Sequence, residues 1–143
     1  MKAVVDTNAL VSGLINLQHA PGRIVDMIRT RTLQLTVDDR ILAEYQSVLL
    51  GNRLRKWVGE EDARDLLAFL FLDSDRVVAG RFVAGLPDPG DAPFLEVAMA
   101  ARIPLITGNR RHFPEPLCQG HSIYSPSEFL QSLHGGNPPG TDP

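Results

Sequence analysis

The sequence predicts an α/β fold with a small, mostly parallel sheet, and three observations carry that prediction. Short β-branched or alternating stretches, notably Ala3-Val4-Val5, LQLTV at 33–37 and IPLIT at 103–107, recur between longer segments of helical periodicity. The two kinds of segment alternate along the chain, which is the pattern of βαβ units. Two of the strands end abruptly on polar residues, Asp6 and Thr107-Gly108-Asn109. In open α/β sheets the site lies outside the carboxyl ends of the strands.

Taken in order, residues 2–6 read as a buried strand and 8–16 as a short helix. Gly22 to Thr30 carries Ile24, Val25, Met27 and Ile28 at helical spacing, and 33–37 alternates like a strand. Asp38-Asp39 introduces a helix with Ile41, Leu42, Tyr45, Val48 and Leu49 on one face, stopped at Gly51-Asn52. GEED at 59–62 opens a further helix to about Leu72, its acidic first turn favoured by the helix dipole. RVVA at 76–79 has strand character, and the loop GLPDPGDAP at 85–93 leads into a helix from about Ala92 to Ala101. IPLIT and HSIY supply the last two strands. SPSE at 125–128 is a capping box, with Ser125 as N-cap, Pro126 at the first helical position and Glu128 three residues on. Residues 1–133 are expected to form a single domain. The tail at 134–143, HGGNPPGTDP, has nothing apolar to bury and is expected to be disordered.

Composition narrows the class. The 143 residues are 43% hydrophobic, enough for one domain with a real core. A net charge of −3 removes bulk electrostatic attraction to nucleic acid, so any such contact must come from local patches. The single cysteine, Cys118, permits no intrachain disulfide and fits a reducing cytoplasm. No apolar run reaches the ~20 residues of a membrane helix. The longest, LLAFLFL at 66–72, is nevertheless apolar on every side. It is expected either to lie deep in the core or to be covered on its second side by a homodimer or another protein.

The candidate chemistry lies in carboxylates. Asp6 reads equally as a helix N-cap and as a site residue. Glu44 falls at the edge of an apolar stripe, between Ile41 and Val48, where an unpaired charge is costly. Its bland alternatives are snorkelling to solvent or pairing with Arg40. Asp91 precedes a helix, so it too reads as a cap, yet it projects between Phe94 and Leu95. Asp88 doubles as a turn residue, and Glu96 is a secondary candidate expected on the exposed side. Several carboxylates brought together cannot all stay ionised without a cation. Oxygen ligands favour Mg²⁺ or Mn²⁺, and histidine and cysteine are too sparse for zinc. An acidic divalent site best supports hydrolysis of a phosphodiester.

Four stretches in family order, VVDTNALVSGL, DDRILAEYQSVL, DPGDAPFLEVAMAARIPLITGNRRHF and SIYSPSEFLQSL, cover nearly the whole chain. In them the sequence resembles a PIN domain of the toxin branch of toxin–antitoxin systems. The resemblance implies a Rossmann-like three-layer α/β/α sandwich and a ribonuclease using one or two Mg²⁺ or Mn²⁺ ions. It implies catalytic roles for Asp6, Glu44, Asp91 and Asn109, with Asp6, Asp91 and Asp88 as metal ligands. Thr7, Asn8, Ser12 and Thr107 are implied to support a bound water or phosphate. Asn109 stands where many PIN domains carry a fourth acid. Its amide can ligate without bringing charge, so a second metal is expected to bind more weakly. The implied partners are an RNA substrate, a cognate antitoxin protein and a second copy of the chain.

RNA also needs cations near the acids. Arg110 and Arg111, beside Asn109, are the expected contacts. Arg53, Arg55 and Lys56 form a second basic patch next to Trp57, a residue on which a base could stack but which burial statistics place more often in a core. A PIN fold that binds RNA or an antitoxin without cutting is the alternative. A haloacid-dehalogenase-type phosphohydrolase is a poorer match, because the second aspartate of its motif is here Asn8. A receiver domain is a similarly poor match, because it needs a phosphoacceptor aspartate after a middle strand and a lysine after a late one.

Overall fold

The computed structural model of the chain describes residues 1–135, so the expected disorder of the tail lies outside the described residues except for His134 and Gly135. Five parallel strands form one sheet in the order β3-β2-β1-β4-β5. They are β1 (Lys2–Val5), β2 (Gln34–Val37), β3 (Asp75–Arg76), β4 (Leu105–Ile106) and β5 (Ile123–Tyr124). The helices are α1 (Thr7–Ile15), α2 (Ala20–Arg29), α3 (Asp39–Leu49), α4 (Glu60–Asp73), α5 (Ala92–Ala101), a single turn α6 (Glu115–Cys118) and α7 (Pro126–Ser132). The connection from β1 to β2 runs one way across the sheet and that from β3 to β4 runs the other. Right-handed crossovers therefore place α1–α2 and α5 on opposite faces, which makes a three-layer α/β/α sandwich.

Local signals explain most boundaries. Asp6, Asp38 and Ser125 each accept a backbone N–H at the start of α1, α3 and α7, and the capping box of Ser125 with Glu128 is present in both directions. The helix α2 begins earlier than its apolar pattern indicates, because Pro21 fits the first turn, whose own N–H would be unpaired there. Gly13 permits α1 and α2 to touch: a Cβ there would lie 2.4 Å from the Pro21 carbonyl oxygen. The strand expected at 76–79 is shorter and earlier, since Thr36 and Val37 at the end of β2 pair only with Asp75 and Arg76.

Leu35, Thr36 and Val37 are all buried, so the alternation of LQLTV does not produce a wet face. A parallel sheet covered on both sides has none. On α4, Ala63, Leu66, Leu67 and Leu70 enter the core, while Phe71 and Leu72 stay exposed. The apolar run is thus half core and half surface within one chain. No helix among the described residues is long and apolar enough to cross a membrane.

Candidate active site at the switch between β1 and β4

Strand order reverses between β1 and β4, whose ends are in register at Val5 and Ile106. Asp6 and Thr107 are the next residues on each strand and meet there. One Asp6 oxygen accepts the Ala9 N–H at 2.8 Å and the other accepts the Thr107 hydroxyl. The cap reading and the site reading of Asp6 are therefore compatible: Oδ1 caps α1 while Oδ2 is held toward β4. Burial pushes the Asp6 carboxyl above the ordinary carboxylate range, against the bonds from Thr107, Ala9 and Gly108.

A cavity of about 470 Å³ opens beside it. Its lining brings together Asp6, Thr7, Asn8, Glu44, Asp88 and Asp91 with an apolar wall that includes Val11, Ile15, Val48 and Leu54. Glu44 comes from the middle of α3 and accepts the Thr7 hydroxyl, not Arg40. Asp88 caps a 3-10 turn over Pro89–Asp91, accepting the Gly90 N–H at 2.9 Å. That turn delivers Asp91, which caps nothing. Desolvation, then the like charge of Asp88, raises the Asp91 carboxyl above its ordinary range.

Asp91 Oδ2 lies 2.9 Å from His112 Nδ1, but neither buried atom has a partner in hydrogen-bonding alignment. The contact is close and electrostatic without being a formed hydrogen bond. The sequence treats Arg110-Arg111-His112 as one charge run. Only the 3-10 turn at Arg110–His112, capped by Asn109, aims the third of them at Asp91.

Other expected residues fall elsewhere. Asn109 and Ser12 are not on the cavity lining. The Asn109 side chain accepts the Arg111 N–H at 3.2 Å. Thr107 is fully buried, and its hydroxyl is spent on Asp6 and on the Asn109 N–H, so it orients Asp6 and does not face the cavity. Arg110 pairs with Glu128 at 3.0 Å, and Arg111 is exposed away from the lining. Of the basic patch, Arg55 is bound to the carbonyls of Leu49 and Val58, and Arg53 is the one that lines the cavity. Trp57, expected in the core, is 59% exposed on the same lining. Glu96, expected on the exposed side, is buried: it accepts the Arg40 guanidinium at 2.7 Å and the Val83 N–H at 2.8 Å.

The donors around the cavity are oxygens, and each carboxylate oxygen retains a lone pair beyond its present hydrogen bond. In kind and charge they suit an oxygen-preferring divalent ion. They are not a preassembled cage: among the described residues no three His, Cys, Asp or Glu side chains converge closely enough to hold a metal.

The model of the PIN domain matches residues 2–111. The chain belongs to the PIN domain family. It is also 29% identical over 111 residues to an uncharacterized protein of Methanocaldococcus jannaschii, a match spanning 77% of this chain and 72% of that one. PIN domains are generally nucleases that act on RNA and typically use divalent metals, which makes the acidic cavity of this PIN domain its candidate active site.

Proposed function

We propose that this PIN domain is a metal-dependent endoribonuclease. The observation that carries the reading is the convergence of Asp6, Glu44, Asp88 and Asp91 on one cavity at the strand-order switch, two of them with raised affinity for protons. Asp6 and Asp91, with Asp88, would hold one or two Mg²⁺ or Mn²⁺ ions. A bound ion there would offset the acids and neutralise charge on the scissile phosphate. The protein's own part is orientation. Thr107 and the Ala9 N–H fix Asp6, and Thr7 fixes Glu44 toward the cavity. His112, 2.9 Å from the buried Asp91 Oδ2, helps to position that carboxylate. The role of toxin, with a cognate antitoxin and a homodimer, is supported by the sequence resemblance and by the exposed Phe71 and Leu72 on α4.

The test is cleavage of a mixed RNA panel with Mg²⁺, Mn²⁺ or EDTA. Cutting is expected with metal, and it is expected to disappear in EDTA and in Asp6→Ala. Asp6→Asn keeps an acceptor for the Ala9 N–H and controls for the lost cap. The second reading is a binder without activity, favoured by the position of Asn109 off the lining. A folded protein that binds RNA and cuts under no metal would replace the first reading with the second.

A further inference from the structure

The acids occupy one part of the cavity lining, and the remainder has a different chemistry. Val11 and Ile15 from α1, Val48 from α3 and Leu54 form an apolar wall that ends in Trp57. A tryptophan buries a large area when it can, so its exposure needs a cause. The cause is the 3-10 turn at Asn52–Lys56. Leu54 and Val58 on either side of Trp57 are buried, the Trp57 N–H bonds to the Leu54 carbonyl at 3.0 Å, and Arg55 ties both Leu49 and Val58. The backbone around Trp57 is thus anchored at both ends, and the indole is held outward over the cavity. Arg53 of the same turn also lines the cavity and has no carboxylate partner among the described residues.

We propose that Trp57 is a stacking platform for an unpaired base of the RNA strand, with Arg53 taking an adjoining backbone phosphate. The inference rests on the nuclease reading above and adds how the strand is held. A flat, rigid indole accepts any base on its face, and a free guanidinium beside it supplies the positive charge a phosphate needs. The acids cannot supply it. A duplex hides its bases in the stack, so the platform selects single-stranded or looped RNA.

The chain contains one tryptophan, so its emission reports on Trp57 without a label. The full chain would be titrated with a short single-stranded oligoribonucleotide, with an abasic ribose-phosphate oligomer of equal length and with a duplex, in Ca²⁺ to balance the acids. Saturable quenching by the first alone is expected. By anisotropy, Trp57→Ala is expected to weaken binding roughly 5- to 100-fold, with Trp57→Phe losing less. Arg53→Ala is expected to weaken binding and lower its salt dependence.

Equal quenching by the abasic oligomer, unchanged affinity in Trp57→Ala, or no binding of any oligomer would each overturn the platform. So would quenching by a peptide carrying arginine and leucine when no oligonucleotide quenches, which would assign the wall to a protein partner. The two readings fail separately. Cutting that needs Asp6 but proceeds unchanged in Trp57→Ala removes the platform and keeps the nuclease. Base-dependent quenching without cutting under any metal keeps the platform and removes the nuclease.

Discussion

Two acid-rich regions draw on the same two helices, α3 and α5, and they handle charge in opposite ways. In one, Asp38 caps α3 and Glu96 is buried on α5, and Arg40 bridges them with guanidinium contacts of 2.7 Å to each. In the other, Glu44 of α3 and Asp91 at the start of α5 share a cavity with Asp6 and Asp88, and the lining brings only Arg53 against the four carboxylates. Burial raises the Asp6 carboxyl, and burial together with the like charges of Asp88 and Asp6 raises that of Asp91. The first region neutralises its acids with a protein cation, and Glu96 also holds the Val83 N–H and so fixes the irregular segment after β3. The second gathers four carboxylates with no arginine or lysine ion-paired to any of them among the described residues, and an excess of carboxylates in a cleft is what marks it as the candidate site.

That contrast can be broken by removing the cation from the first region. Arg40→Ala leaves the buried Glu96 with the Val83 N–H but no cation, and it is expected to cost about 1–2 kcal/mol, read as a lower midpoint in urea, because only the Glu96 half of the pair is buried. RNA cleavage per folded molecule is expected to be unchanged.

It can be sharpened by removing charge from the cavity. A carboxyl whose folded pKa is raised binds more protons folded than unfolded, so stability falls as pH climbs from the ordinary carboxylate value through the raised one. Asp6 and Asp91 contribute in that sense. In EDTA, Asp91→Asn is expected to flatten this decline and to raise stability at pH 7 by about 0.5–1 kcal/mol, in proportion to the repulsion relieved. The same variant is expected to lose cleavage. Urea melts at several pH values check the sign.

The smallest effect belongs to the ion pair of Arg110 with Glu128, both partly solvated. Arg110→Ala is expected to change stability by less than about 0.5 kcal/mol, as exposed pairs do. RNA affinity is expected to change less than in Arg53→Ala, because Arg110 lies off the cavity lining.

The sequence by itself determined the alternation of strands and helices, the parallel sheet, the capping residues and the acids Asp6, Glu44, Asp88 and Asp91 that the fold brings to one cavity. Those features are local: periodicity, β-branching and cap spacing act within a few residues. Partners were decided only by the tertiary structure. Arg40 reaches Glu96 across 56 positions, and Thr7 reaches Glu44 across 37. Which arginine meets the acids depended on how two turns are pinned: Asn109 and Glu128 draw Arg110 aside, while Arg55 anchors the turn that sets Arg53 and Trp57 over the cavity. Charge and aromatic residues are legible in a chain as types, but their exposure depends on what the rest of the fold packs against them, and no local spacing encodes that.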